Sequence, residues 1–125
     1  MHPEPILFAL NESYQALVRI LLPEGILEYF ELTRIVESIP GLNIYLEERN
    51  IAPVEFKDEK LESKGFLPEI YIQDFPIRNQ KVTLCIKRRR WEVKSTKEIV
   101  TRDWKIVQQG TRMTKEFADF LKGMY

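Results

Sequence analysis

Lys87-Arg88-Arg89-Arg90-Trp91 is the segment of this chain with the most concentrated chemistry. Several guanidinium and ammonium groups together suit a phosphate backbone, which is contacted from many directions and demands no single plane. Arg78 and Lys81 precede the run, and Arg102 and Lys105 follow it. Arg112 and Lys115 lie at the expected start of a helix, where backbone N–H groups also favour anions. Together these ten residues are the candidate nucleic-acid-binding set. Trp91 and Trp104 are interleaved aromatics that fill a core or, if exposed, stack on bases.

Catalysis has no comparable set. A nucleophile needs a base beside it, and the one histidine, His2, sits at the terminus. With a single cysteine, Cys85, the chain has neither an internal disulfide nor the three or four ligands of a zinc site. Cys85 lies between Leu84 and Ile86 and reads as a small half-buried filler. The five glycines are scattered and form no phosphate loop. Asp74 and Asp103 each precede an aromatic and suit turn capping or pairing with the arginines. The expectation is a binding protein, not an enzyme, with no metal and no cofactor.

Formal net charge is zero, yet the charge is divided along the chain. Residues 1–76 hold 14 acidic and 6 basic residues, a balance of −8; residues 77–125 hold 5 acidic and 13 basic residues, a balance of +8. Such a division points to contact of the basic part with an anionic partner, or to pairing of the two halves within or between molecules. No apolar run reaches the roughly 20 residues that span a bilayer, and no secretion signal opens the chain. A cytoplasmic protein without membrane contact is expected.

The elements that must position the basic residues follow from hydrophobic spacing. Leu7, Leu10, Tyr14, Leu17, Val18 and Leu21 recur at intervals of three and four, which predicts an amphipathic helix ended by Pro23 and Gly25. Its stripe suits packing, and its N-terminal position also suits docking on another chain. Two runs flanking Ile39–Gly41 predict a hairpin whose second strand ends in polar Glu47, Glu48 and Arg49. Residues 50–69 read as a long loop with one helical turn around Asp58–Glu62. A second hairpin turns around Arg78–Lys81, and residues 98–110 predict a fifth strand. Thr111 or Thr114 caps a terminal helix bearing Met113, Phe117, Phe120 and Leu121 on one face. The fold class is α+β: an N-terminal helix (1–24), about five antiparallel strands (25–110) and a short C-terminal helix (111–125), forming a single domain.

Strand geometry constrains the basic run. Val82, Leu84 and Ile86 define a core face, so an unbroken register sends Arg88 and Arg90 inward and Lys87, Arg89 and Trp91 outward. Two guanidinium groups cannot stay buried unpaired. Either the strand twists out past the sheet edge, or a bulge resets the register and returns Trp91 or Val93 to the core.

The segments "KGF", "QDFPIR", "RRRW", "RDW" and "GTRMT", in this order, resemble the N-terminal region of ISL-three-like insertion-sequence transposases, and the ISAon-type subgroup in particular. That resemblance runs from about Leu21 to the C-terminus. It implies binding to DNA at transposon ends, and a catalytic transposase chain encoded separately, since the family's catalytic carboxylates lie in a downstream domain. The wider family carries two cysteine pairs that bind zinc in a ribbon; this chain has none of them, which implies a metal-free relic of that ribbon. The rival expectation is a protein-interaction module that docks the catalytic chain, or forms a homodimer through its acidic and basic halves.

Overall fold

The computed structural model describes residues 4–39, 41–103 and 112–123. Helix α1 spans Glu4–Leu21 and is followed by a single-turn helix α2, Ile26–Tyr29. Pro23 breaks the first helix, and Gly25 turns the chain with φ 81°, a left-handed conformation that glycine adopts without steric cost. Strands β1 (Phe30–Ser38) and β2 (Gly41–Glu48) form the expected hairpin. A bulge at Thr33 shifts its register between Leu32 and Arg34.

Strands β4 (Ile70–Ile77) and β5 (Gln80–Lys87) form the second hairpin. Its turn residues Arg78 and Asn79 both have positive φ, as two-residue hairpin turns require. The first sheet has the order β1-β2-β5-β4, and its central pair, β2 with β5, is parallel. Gly41 lies opposite Lys81 in that pair, so close that a Cβ at residue 41 would collide with the Lys81 carbonyl oxygen. Ile44, Leu46, Ile72, Val82, Leu84 and Ile86 project to one face and pack with Leu22, Ile26 and Phe30. The alternation in β5 was therefore read correctly.

A second sheet, order β3-β6-β7, comprises Leu61–Phe66, Arg89–Val93 and Ile99–Val100. The α+β class and both terminal helices stand, but among the described residues seven strands in two sheets, one pair of them parallel, replace about five antiparallel ones. The expected loop at 50–69 contains a 3-10 turn at Val54–Phe56, and its second half is strand β3 rather than a helical turn. Mostly polar "LESKGF" has little apolar alternation to announce a strand; its partner is β6, the arginine segment itself. The fifth strand pairs only at Ile99–Val100, because Arg102 turns inward; residues 104–110 of that expectation lie outside the described residues.

Helix α3, Lys115–Lys122, is capped by Thr114, whose Oγ1 accepts from the Phe117 N–H at 3.3 Å and donates to buried Asp74 at 2.8 Å. Backbone bonds Gln73 N–H to Arg112 carbonyl and Thr114 N–H to Gln73 carbonyl tie the helix start to the β4 edge. Phe75 packs against Phe117 and Phe120. Asp74 thus holds a threonine rather than an arginine, whereas Asp103 is exposed and its N–H donates to Glu55.

Candidate nucleic-acid interface

The basic run is where the chain passes from one sheet to the other. Strand β5 ends at Lys87, the Arg88 carbonyl accepts from Leu67 N–H at 2.8 Å, and β6 starts at Arg89. This change of sheet resets the register, one of the two outcomes the strand geometry left open, though by a passage to a second sheet and not by a bulge within the first. Trp91 and Val93 return to the interior, at 2% and 5% exposure. Trp91 is a core anchor and offers no surface for base stacking. Trp104 lies outside the described residues.

The reset is held by Glu48, which the sequence reading left as part of a polar strand end. Its carboxylate is buried at 1% exposure. It accepts from Trp91 Nε1 at 2.7 Å, from the Arg89 backbone N–H at 3.0 Å and from Arg102 Nε at 3.3 Å. A buried carboxylate needs this many donors to replace the water it has lost. Arg89 also donates from Nε to the Glu48 carbonyl (2.9 Å) and from a terminal nitrogen to Ser63 Oγ (2.8 Å), and its guanidinium lies over the Phe66 ring at 4.7 Å. Arg102 donates to the Ile51 carbonyl as well and covers the Tyr29 ring at 4.3 Å.

Arg102 is buried and half-buried Arg89 spends Nε and one terminal nitrogen inside the protein, which leaves both less available to a phosphate than the exposed members of the set. The physical reason is the cost of burying Glu48, which requires cationic and N–H partners at the sheet junction. Glu48, Ser63 and Tyr29 are the residues of this junction that sequence reasoning missed. One signal existed: Glu48 continues the parity of Leu42, Ile44 and Leu46, the inward positions of β2.

The other candidates fall into two groups. Arg78 and Lys81 are exposed at the β4–β5 turn, and exposed Arg112 and Lys115 flank the point where α3 joins β4. Lys87, half-buried Arg88 and exposed Arg90 lie at the opposite end of β5. Six residues separate Lys81 from Lys87, roughly 20 Å along a strand. Lys87 pairs with Glu47 at 3.7 Å. By contrast, the side chains of Arg78, Lys81, Arg88, Arg90, Arg112 and Lys115 make no ion pair among the described residues, while Lys64, Lys94 and Lys97 each have a glutamate. Arg88 Nε is in addition buried without an acceptor there. Lys105 lies outside the described residues.

The outer face of the first sheet carries one cross-strand row, Arg34, Tyr45, Cys85 and Tyr71, with the Arg34 guanidinium 4.0 Å above the Tyr45 ring. Cys85 is buried at 2%, more than the half-burial expected, and burial followed by the nearby Glu69 charge pushes its thiol up from the ordinary value. Among the described residues no three His, Cys, Asp or Glu side chains converge as metal ligands, and no helix is long and apolar enough to cross a membrane. No protein-family profile, curated protein or solved structure matches the chain.

Proposed function

We propose that this chain is a non-catalytic DNA-binding module of the insertion-sequence transposase type, acting in the cytoplasm on the ends of a mobile element. Catalysis would come from a separately encoded transposase chain. The observation that carries the reading is the clustering of exposed Arg78, Lys81, Arg112 and Lys115 about the β4–β5 turn and the start of α3, none of them in an ion pair among the described residues, although Lys57, Lys60 and Lys122 share that property. Unpaired cations fixed on rigid strands and a docked helix start are preorganised for phosphates. The roughly 20 Å between the two groups corresponds to about six phosphates along one strand of a duplex.

Arg78, Lys81, Arg112 and Lys115 are the turn-side grip, and Lys87, Arg88 and Arg90 the junction-side grip. Association of acidic with basic halves between molecules has less support, because Glu48 with Arg102, Glu47 with Lys87 and Glu62 with Lys94 close such pairs within one chain.

Gel-shift titration on duplexes carrying the terminal inverted repeats tests the reading. Neutralising about six phosphates predicts an affinity loss of about a thousandfold between 50 and 200 mM salt. Arg78→Ala/Lys81→Ala/Arg112→Ala/Lys115→Ala is expected to abolish the shift while retaining the wild-type melting curve. Absence of binding at low salt, or a quadruple variant that binds normally, would defeat the proposal.

A further inference from the structure

A groove of about 950 Å³ lies between the second half of α1, the short helix α2 and the start of β1. Its floor is apolar, formed by half-buried Val18, Leu27 and Leu32 and by buried Leu22. Tyr14 and Ile20 stand on its α1 side at 60% and 78% exposure, so the apolar surface is open to solvent. Isolated exposed apolar residues are ordinary; a concave apolar surface of this volume can seat several side chains of a ligand.

The rim around that floor is acidic. Glu24, Glu28, Glu31 and Glu116 border the groove and are all exposed. Arg19 and Arg49 line it as well, so four carboxylates face two guanidinium groups, a balance of −2. None of the four glutamates makes an ion pair among the described residues. Arg49 instead donates from Nε to the Leu27 carbonyl at 3.3 Å, and Glu116 accepts from the Glu24 N–H at 3.4 Å, which ties α3 to the rim.

An apolar floor inside an acidic rim selects its occupant by charge. Nucleic acid and anionic lipid headgroups would be repelled by the four carboxylates. A second copy of this chain offers no suitable helix among the described residues. Its α3 already buries Phe117 and Ala118, with Phe75 packed on Phe117, and its α1 has Arg19 as the one basic residue between Tyr14 and Leu21. The backbone groups of the α1 and α2 walls are paired within those helices, so these walls give an extended chain no open edge. The occupant must pair its own backbone, as a helix does.

We propose that this groove is the docking site for a basic amphipathic helix of a different protein. Apolar side chains spaced three and four apart on that helix seat on Val18, Leu22, Leu27 and Leu32, and lysines or arginines flanking them reach the rim glutamates. From Tyr14 to Leu22 the α1 wall rises about 12 Å, so two to three turns of the partner are engaged. The site does not rest on the DNA-binding reading, because Arg78, Lys81, Arg112 and Lys115 are not among the groove residues and either surface can fail alone.

The probe is a fluorescein-labelled peptide of about four helical turns, with leucines at alternating intervals of three and four and lysine or alanine elsewhere. Fluorescence anisotropy with the full chain, without DNA and near physiological salt, is expected to give micromolar binding. The same residues reordered to break the stripe, and the striped peptide with glutamate in place of lysine, should each bind at least about tenfold more weakly. Glu28→Lys/Glu31→Lys should weaken binding of the striped lysine peptide by at least about tenfold through repulsion at the rim. Tyr14→Ser/Ile20→Ser should do so through loss of the apolar wall. All four of these side chains are exposed, so circular dichroism of both variants remains that of the wild type. Glu12→Lys/Glu37→Lys makes the same charge change outside the groove and should stay within about twofold of the wild type, since salt screens charges more than about 8 Å away. No binding of the striped lysine peptide at about 500 µM, equal binding of the reordered peptide, groove variants that bind like the wild type, or equal weakening by the control reversal would overturn the proposal.

Discussion

Glu48→Ala tests the sheet junction most directly. The substitution removes the acceptor of the Trp91 indole N–H, the Arg89 backbone N–H and Arg102 Nε. The Arg102 side chain is only 4% exposed, so its charge remains in the interior without its counter-ion. Removing one partner of a buried ion pair costs about 3–5 kcal/mol, and a stranded Trp91 N–H adds about 1–3 kcal/mol. The Ile51 carbonyl and the Tyr29 ring still hold Arg102 and offset part of this. A net loss of about 4–6 kcal/mol follows, against the 5–15 kcal/mol typical of whole domains. With a urea slope of about 2 kcal/mol/M, the unfolding midpoint should fall by about 2–3 M. Glu48→Leu/Arg102→Leu removes both charges and should be about 2 kcal/mol more stable than Glu48→Leu alone, because no ion is then left unpaired. Equilibrium urea unfolding followed by circular dichroism measures these three variants and Arg102→Leu, which closes the double-mutant cycle. A Glu48→Ala midpoint within 0.5 M of wild type, or additive effects in the double-mutant cycle, would refute a charged junction as the element that joins the two sheets.

Two further predictions separate fold from function on the same strands. Arg89→Ala should lower stability by about 2–3 kcal/mol, since it breaks charge-assisted bonds to the Glu48 carbonyl and Ser63; Arg90→Ala, at an exposed site, should stay within about 0.5 kcal/mol yet weaken DNA binding, as melts and gel shifts on the same samples would show. For Cys85, the folded thiol titrates above its ordinary value because it is buried. The unfolded chain then loses this proton first as pH rises, so the stability linked to Cys85 is complete below the ordinary thiol pKa and declines above it toward the folded pKa. Urea midpoints at pH 7 and pH 10 should therefore fall further in wild type than in Cys85→Ala; equal falls would contradict the burial argument.

What could be read from the sequence depended on how far each signal reached along the chain. Helix α1, the first hairpin, the inward alternation of β5 and the Thr114 cap were legible because each rests on neighbours within a few residues. Strand β3 was not, since its identity as a strand comes from a partner about 30 residues away, Arg89–Val93, and not from its own polar pattern. The parallel pairing of β2 with β5 was invisible for the same reason: alternation shows which face a strand buries, not which strand lies beside it. In the candidate interface, Arg78 and Lys81 are exposed at the expected turn and Arg90 is exposed as only a break in register allows, while Arg102 was taken by an acid 54 residues earlier in the chain.

Glu48 shows how far that local reasoning could have gone. Parity along β2 sends Leu42, Ile44, Leu46 and Glu48 to one side, and a carboxylate on the core side must find donors. The same parity argument, applied to β5, leaves an arginine run that must stop pointing inward. An inward acid at the end of one strand and a cationic run at the end of its parallel neighbour are two halves of one requirement, and the Glu47 to Lys87 register places them side by side. The arginine run thus has a divided role. Arg89 helps close the junction, and the backbone on either side of it is tied down by the Leu67 N–H to Arg88 carbonyl bond and the β3–β6 ladder, with Arg90 exposed and Arg88 half-buried. A phosphate grip built this way should lose affinity in Arg89→Ala in proportion to the loss of order at the junction, as gel shifts and urea melts on the same variant would show.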